Sequence, residues 1–420
     1  MAEAQRTFGI IIERADPLAA LIARSSPFVS STRAGLSPRS LLARGSRQER
    51  LRIAMLAPPW FPVPPLAYGG IEAVVDVLCQ ALVARGHDVT LFAAPGSHSE
   101  AHLRTPLEAA HPHEIGSSMV ESDCVACAWA EIDLAAELGQ AFDVVHDHSG
   151  FTALAMADRI DAPVVHTLHG AFLDETIPFY QRHGHKARLA AISRSQSLSA
   201  PTGVRIAAVV PNPVDVDRWP LRTQKQDYLL WVGRMDPVKG AHRAIRAARL
   251  ARRKLVLAGP VQPGQEAYYH EQIEPQINDS DIRYVGEVGG IDKQELFANA
   301  AALLMPIGWQ EPFGMVMVEA LACGTPVIAF PEGAAGEIVI DGVNGMLVAD
   351  EAAMASAVHR LDSISAADCR ASAAARYDIS VTASGYEAVY DRAIELDRQR
   401  ARWGQHPARL TRHHLRLGAF

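Results

Sequence analysis

Arg52-Ile-Ala-Met-Leu-Ala57, a proline-rich loop, Tyr68-Gly69-Gly70, an apolar-periodic run to Arg85, Gly86, and then Asp88-Val-Thr-Leu-Phe-Ala93 follow one another in this chain. The two short apolar runs have the length and the bounding turns of buried strands, and the run between them repeats its apolar residues at helical spacing. Strand, loop, helix, strand is a βαβ unit, in which the two strands run parallel. Gly69 and Gly70 stand where the helix begins. Free N–H groups there favour an anion, and the missing side chains let a phosphate come close. The pair lacks the full G-x-G-x-x-G dinucleotide fingerprint, so a plain loop-to-helix turn is the competing reading.

The same alternation continues outward. Asp143-Val-Val-His-Asp-His148-Ser-Gly150 and Pro163-Val-Val-His-Thr-Leu-His169-Gly170 are apolar strands that turn polar at their carboxyl ends, where open α/β sheets bind ligands. His148 and His169 are thereby candidates for lining a cleft; a hydrogen-bonded structural role is the alternative, above all for His146. Strands are expected at 187–193 and 206–211, then at 254–259, 282–288, 301–306 and 326–330. Between these groups lies Tyr228-Leu-Leu-Trp-Val-Gly233-Arg234-Met-Asp-Pro-Val-Lys239-Gly240. It delivers two cations to a glycine-rich turn before a helix, a natural clamp for a diphosphate leaving group. Read alone, the same pair is two solvated charges. Val285-Gly-Glu-Val288 is a plausible edge for a base, with backbone groups doing the recognition.

Glu311-Pro-Phe-Gly314-Met-Val-Met-Val-Glu319-Ala-Leu-Ala-Cys-Gly324-Thr-Pro326 reads as a loop, a short helix and a stop. Pro312 suits a helix's first turn, and Gly324 and Pro326 are C-terminal punctuation. N–H groups around Gly314, Met315 and Val316 favour an anion. Glu311 stands just before that position and Glu319 follows on the helix. Carboxylates so placed suit the hydroxyl-rich ends of a ligand with phosphate in its middle, which is the layout of a nucleotide sugar. An amphipathic helix with two solvated glutamates is the bland alternative.

Glu-x7-Glu within EPFGMVMVEALACGTPV, GRMDPVKG at 233–240, and the loop from Ala57 to Leu78 resemble the retaining glycosyltransferases of family 4, which have the GT-B fold. The resemblance covers about residues 51–400. It implies an α/β protein with two Rossmann-like parallel-sheet domains facing across a cleft: an acceptor domain over 51–218, a donor domain over 219–380, and a helix at 381–400 packing back on the first. It implies transfer of a sugar, with retained anomeric configuration, from a nucleoside-diphosphate sugar to an acceptor that the sequence does not identify. Arg234 and Lys239 would neutralise the diphosphate, helped by N–H groups at Gly314–Val316. Glu311 would orient the sugar's hydroxyls, Glu319 the ribose, and His148 would meet the sugar near its reacting carbon. Gly69, Gly70, His169 and Val288 would complete the substrate contacts. Neither a metal nor another cofactor is required, since cations and a helix end do that work. The chain departs from the family's Gly-Gly-x-Pro-Glu pattern at Gly333-Ala-Ala-Gly336-Glu337, so no sugar contact is carried over there.

Other classes remain open at this point: a glycoside hydrolase, whose paired carboxylates must flank one bond, a nucleotide-sugar epimerase of GT-B fold, and a non-catalytic sugar-nucleotide-binding protein. The chain's 420 residues suggest two or three domains, and its net charge of -7 argues against nucleic acid as the main partner. No apolar run of about 18 residues predicts a membrane span. The five dispersed cysteines fit a reducing cytoplasm. Residues 1–50 carry eight arginines against four acids and read as a poorly ordered extension. A basic tail over 401–420 suggests either peripheral contact with an anionic membrane face or a frayed terminus. A helix is expected at 128–139 after a His-rich loop, with His111, His113, Cys124 and Cys127 as weak candidates for zinc against loop histidines and reduced thiols. The Asp215–Asp217 and Asp279–Asp281 pairs sit poorly for magnesium. Helices near 351–361, 365–376 and 381–401 close the chain.

Overall fold

The computed structural model of the protein describes residues 50–402. The expected extension over 1–50, apart from Arg50, and the expected basic tail, apart from residues 401 and 402, lie outside them. The first half runs β1 (Arg52–Leu56), α1 (Gly70–Ala84), β2 (Asp88–Phe92), β3 (His102–Arg104), α2 (Ser118–Glu137), β4 (Val144–Asp147), α3 (Phe151–Ala155), β5 (Val164–Leu168), α4 (Ile177–His183), β6 (Arg188–Ala191), α5 (Arg194–Leu198) and β7 (Ile206–Val209). The second runs β8 (Tyr228–Val232), α6 (Ala241–Ala251), β9 (Lys254–Ala258), β10 (Ile282–Tyr284), α7 (Gly290–Asn299), β11 (Ala302–Met305), α8 (Met315–Ala322), β12 (Val327–Ala329), α9 (Ala335–Ile338), β13 (Gly345–Leu347), α10 (Glu351–Val358), α11 (Ala366–Tyr377) and α12 (Ile379–Arg402).

Two sheets result, seven strands in the order β3-β2-β1-β4-β5-β6-β7 and six in the order β10-β9-β8-β11-β12-β13. β1 pairs in parallel with β2 and β4, and β8 with β9 and β11, so in both sheets the strand order reverses at the first strand of that half. The carboxyl edge at such a reversal opens a crevice because the loops on either side depart in opposite directions. Each sheet is covered on both faces. Ile53 and Met55 of β1 enter one apolar cluster while Ala54 and Leu56 enter the other, and Leu229 and Trp231 are separated from Leu230 in the same way along β8. Period-two side chains buried on both sides explain why these strands read as unbroken apolar runs.

The chain crosses between the sheets twice, and the crossings are bonded to each other. Val214 N–H donates to Tyr377 O at 2.7 Å, and Ile379 N–H donates to Val214 O at 3.1 Å. α12 then lays Tyr386, Tyr390, Ala393 and Ile394 into the core of the first sheet beside Ile53, Val144 and Val165. Among the described residues no helix is long and apolar enough to cross a membrane.

The structure departs from the sequence reading in several places. α2 starts at Ser118, not near 128, because Val120, Cys124, Val125 and Ala128 already form a buried helical stripe. Ser118, Ser122 and Asp123 lie on its exposed side, while His111 and His113 remain in the loop before it. Among the described residues no three His, Cys, Asp or Glu side chains converge as metal ligands. Burial pushes the Cys124 thiol up to about 12, and His111 Nδ1 pairs with Glu114 Oε1 at 2.8 Å. β3 is a short edge strand that the sequence reading did not anticipate. Pro312 also lies outside α8, whose first residue is Met315, so the helix start is set by Gly314 instead.

Gly259 shows how tightly the second sheet's loops are packed. Its φ is +134°, and a Cβ there would lie 1.9 Å from Gly233 O, in the turn that carries Arg234. Gly259→Ala is expected to destabilise the fold by about 3 kcal/mol or to block folding, from overpacking plus backbone strain. Gly336, where nothing stands within 4 Å of a Cβ, is the control, and its Ala variant should be neutral or stabilising in urea denaturation. Equal midpoints for the two variants would contradict this packing argument.

Candidate active site

Carboxyl-end loops of the two sheets meet. The loop after β1 reaches the loop after β10: Tyr68 N–H donates to Glu287 Oε1 at 2.6 Å, and a Cβ on Gly289 would lie 2.1 Å from Leu66 O. The turn after β6 reaches α9, where Glu337 Oε1 and Oε2 accept Ser195 N–H at 2.9 Å and Arg194 N–H at 3.1 Å. Between these two contacts the sheet orders leave the ends of β4 and β5 on one side and those of β8 and β11 on the other. Arg234 and Lys239 follow β8, Glu311 follows β11, and His148 and His169 follow β4 and β5.

On the second lobe's side, β8 leads into Gly233 and Arg234, and Gly240 precedes α6 with φ +78°. A Cβ on Gly240 would sit 2.2 Å from Pro306 O, so only glycine lets this turn close on the end of β11. That closure carries Lys239 to Glu311: Nζ lies 2.5 Å from Oε2. Trp309 Nε1–H donates to the same oxygen at 2.8 Å, and Lys239 Nζ lies 4.7 Å from the Trp309 ring centroid. Arg234 Nη1–H donates to Gln262 Oε1 at 3.3 Å, a neutral partner that leaves the guanidinium's charge uncancelled. Gly314, at φ +91°, turns the chain into α8 and leaves the N–H groups of Met315 and Val316 at the helix's amino end. Gly333 (φ +57°) packs against Glu311, where a Cβ would meet its backbone N and O at 2.3 Å, and Ala334 N–H donates to Glu311 O at 2.9 Å. Glu311 is thus fixed from both its backbone and its carboxylate.

Glu319, 6 % exposed on α8, accepts from Lys293 Nζ through Oε1 at 2.7 Å, while its Oε2 is buried without a partner. An orphaned buried carboxylate oxygen is costly unless a ligand completes it. The carbonyl end of α8 is neutralised: Arg370 Nη1–H donates to Ala322 O at 2.8 Å and Lys225 Nζ–H to Cys323 O at 3.1 Å. With cations at one end, the helix dipole is complemented there and its amino end is left for an anion. Val288 lies half-buried between Glu287 and Gly289, which both touch the first lobe's loop.

On the first lobe's side, Gly69 (φ +142°) precedes α1, and a Cβ there would stand 2.6 Å from Pro65 Cβ. Gly70 is exposed with open space around it. His148 leaves β4 with its N–H donating to Leu56 O at 2.9 Å; its Nδ1 shares a 2.8 Å hydrogen bond with His169 Nε2, and its Nε2 is buried without a partner. His146 has the structural role: Nδ1 pairs with Tyr390 Oη at 2.6 Å and Nε2 with Thr167 Oγ1 at 2.8 Å. The site residues that sequence reading missed are Trp309, Lys293, Glu337 and the α12 tyrosines. Trp309 stands two residues before Glu311 in a loop, a visible signal; Lys293 and Tyr390 arrive from distant elements and leave none.

Burial and neighbouring imidazoles hold His146 and His148 well below the usual histidine range, and burial lowers His169 to about 3. In the opposite sense, burial raises the Glu72 carboxyl at the start of α1 to about 7. An unfolded histidine binds a proton below pH 6.5 and these folded rings do not, so the stability present above that pH is lost as acid is added. At pH 5 the loss is about 2 kcal/mol for His169, close to what Glu72 gains, and His146 and His148 shift in the same direction as His169, so the rings prevail. Imidazole shifts of these three histidines should stay flat from pH 7.5 to 5, while urea stability falls. Titration of any of the three above pH 5 would refute the neutral cluster.

The sequence profile described as "Glycosyltransferase Family 4" matches residues 68–218, and that described as "Glycosyl transferases group 1" matches residues 215–377. The chain is 29 % identical over 406 residues to a glycogen synthase of Mycobacterium tuberculosis, covering 83 % of this chain and 96 % of the relative. It is 30 % identical over 338 residues to a D-inositol 3-phosphate glycosyltransferase of Kribbella flavida, covering 67 % and 78 %. Its fold matches that of HepE from Anabaena, solved in complex with UDP and glucose, with a TM-score of 0.64 at 22 % identity over 82 % of this chain and all of that one. With two parallel-sheet lobes joined in this way, the chain belongs to glycosyltransferase family 4 and is a glycosyltransferase of GT-B fold.

Proposed function

We propose that this glycosyltransferase takes its sugar from a nucleoside-diphosphate donor and transfers it with retained anomeric configuration. The observation that carries the reading is the buried, unpartnered Oε2 of Glu319 on the helix whose amino end adjoins the Lys239–Glu311 pair. A ribose hydroxyl would satisfy that oxygen, and the phosphates would then lie against the N–H groups of Gly314, Met315 and Val316. Arg234 and Lys239 would take up the charge that develops as the bond from sugar to diphosphate breaks. Groups already in place for developing charge stabilise a transition state without reorganising. Glu311, released by Lys239 as the ammonium turns to phosphate, would accept from the sugar's hydroxyls. His148 Nε2 would meet the sugar from the first lobe, and the backbone at Val288 would edge the base. Gly69 and Gly70 would approach the diphosphate from across the cleft.

Retention places the acceptor on the same face that the leaving group departs from. The departing phosphate oxygen is then the nearest acceptor for the hydroxyl's proton. In this reading the cations and the helix end carry the leaving-group charge, and no metal is called for. The fold-mate HepE was solved in complex with UDP and glucose, which makes a uridine donor the first to test.

Thermal denaturation with UDP, GDP and ADP should show one diphosphate raising the melting temperature above the others, since a ligand bound only to the folded state stabilises it. Lys239→Ala should abolish that shift and lower kcat/KM by about 100-fold or more. Product anomers read by NMR should match the donor's, and a chelator should leave the rate unchanged. Equal or absent shifts with all three diphosphates would refute the donor site; an inverted product would refute retention alone.

A further inference from the structure

Trp309 stands two residues before Glu311, in the loop after β11, and holds it twice. Glu311 N–H donates to Trp309 O at 2.9 Å, and the indole Nε1–H donates to Glu311 Oε2 at 2.8 Å. The same oxygen accepts from the Lys239 ammonium, which also lies 4.7 Å from the indole ring centroid. Indole, ammonium and carboxylate therefore touch one another in a closed set of three. The loops that carry them are tied together: Gly308 N–H donates to Val238 O at 2.8 Å, and Trp231 Nε1–H donates to Lys239 O at 3.1 Å. With the backbone fixed on both sides, the long Lys239 side chain is the member of the set that can turn.

The proposed reaction asks Lys239 to leave Glu311 for the diphosphate. Glu311, 8 % exposed, would then be a buried anion that has lost its cation beside incoming phosphates. Desolvation and like-charge repulsion would both act to displace it. The indole N–H is neutral and has no charge to follow the phosphate, and its ring packs against the second lobe's core. We infer that Trp309 is a positioning residue for Glu311: its indole N–H keeps the carboxylate aimed at the transferred sugar after Lys239 has turned to the diphosphate. This rests on the donor reading above, yet the bond itself can be followed with no donor present. Among the described residues both side-chain bonds of Glu311 fall on Oε2, so holding that oxygen leaves Oε1 for a sugar hydroxyl.

The test uses the full chain with 15N-labelled tryptophan, the Trp309 indole signal being assigned with Trp309→Phe, or with Trp309→His if the Phe variant does not fold. Phenylalanine keeps a ring face for the Lys239 ammonium but has no N–H. Lys239→Ala makes the ammonium's departure permanent. In that variant, as in the wild type, the indole proton should exchange slowly and resonate downfield of its position in Glu311→Ala. Rapid exchange of that proton in Lys239→Ala would overturn the inference without any ligand. Slow hydrolysis of UDP-glucose, GDP-glucose or ADP-glucose, whichever carries the diphosphate that stabilises the protein, gives the kinetic arm. Trp309→Phe should retain the diphosphate's melting-temperature shift. It should lower kcat by about 10-fold or more with donor KM within about 3-fold, and Trp309→His, which brings back a ring N–H, should recover part of the loss. In a Glu311→Ala background the Phe substitution should change kcat by less than about 2-fold, because the carboxylate it positions is gone. Equal losses in the two backgrounds would mean a structural role alone and overturn the inference. Failure of every form, the wild type included, to bind a diphosphate or hydrolyse a donor would instead count against the donor reading, leaving the Lys239→Ala spectrum to decide on Trp309.

Discussion

Lys239 and Glu311 stand 2.5 Å apart beside the amino end of α8, and much of the second lobe serves to bring them there. Neither residue is near the other in the chain. Their meeting requires the β8 turn to press onto the end of β11, which Gly240 permits, and Glu311 to be gripped by its own backbone, which Gly333 permits. Both glycines sit at positive φ with backbone where a Cβ would go, so the close approach and the unusual backbone come from the same choice of residue. The charges follow from that packing. A cation, a carboxylate and free N–H groups gathered at one helix end are expensive to leave dry and easily exchanged for a phosphate.

The first lobe solves a different problem. Where the second assembles charge, the first assembles neutral rings: His146, His148 and His169 are kept uncharged by burial, and two tyrosines from α12 brace the stack. An imidazolium beside a departing diphosphate would compete with Arg234 and Lys239 for the same charge. A neutral ring can instead give or take one hydrogen bond with a sugar hydroxyl. In the proposed reaction the division of labour would be electrostatic, with leaving-group charge met from one side and the sugar from the other.

How far this was legible in the sequence depended on the range of the interaction. Apolar runs buried on both faces and glycine at strand-to-helix turns are local, and they placed the β1–α1–β2 unit and the strands of both sheets other than β3. α2 was misjudged because its buried stripe is thin and its polar face dominated the reading. Pro312 was misassigned by a local preference that the positive φ of Gly314 overrides. In the site, His148 could be singled out by the strand end that carries it, and Lys239 and Glu311 by the resemblance of their motifs to the family's. Their partners could not: Lys293 comes to Glu319 from α7, Tyr390 comes to His146 from a helix 244 residues away, and no pattern of spacing encodes either meeting.

The contacts closing the cleft at its two ends are polar and few in kind, backbone N–H groups donating to Glu287 and Glu337. Apolar burial, by contrast, is confined largely to the faces of each sheet and to α12 on the first. Carboxylate-to-backbone bonds at a wet edge exchange readily with water, whereas separating α12 from the first sheet would expose Tyr386 and Tyr390, both fully buried. Opening should therefore occur at the two clasps and be hinged where Val214 meets Tyr377 and Ile379. Because α12 continues directly from that hinge into the tyrosines that brace His146, the second lobe's return path and the first lobe's ring stack form one continuous piece of structure.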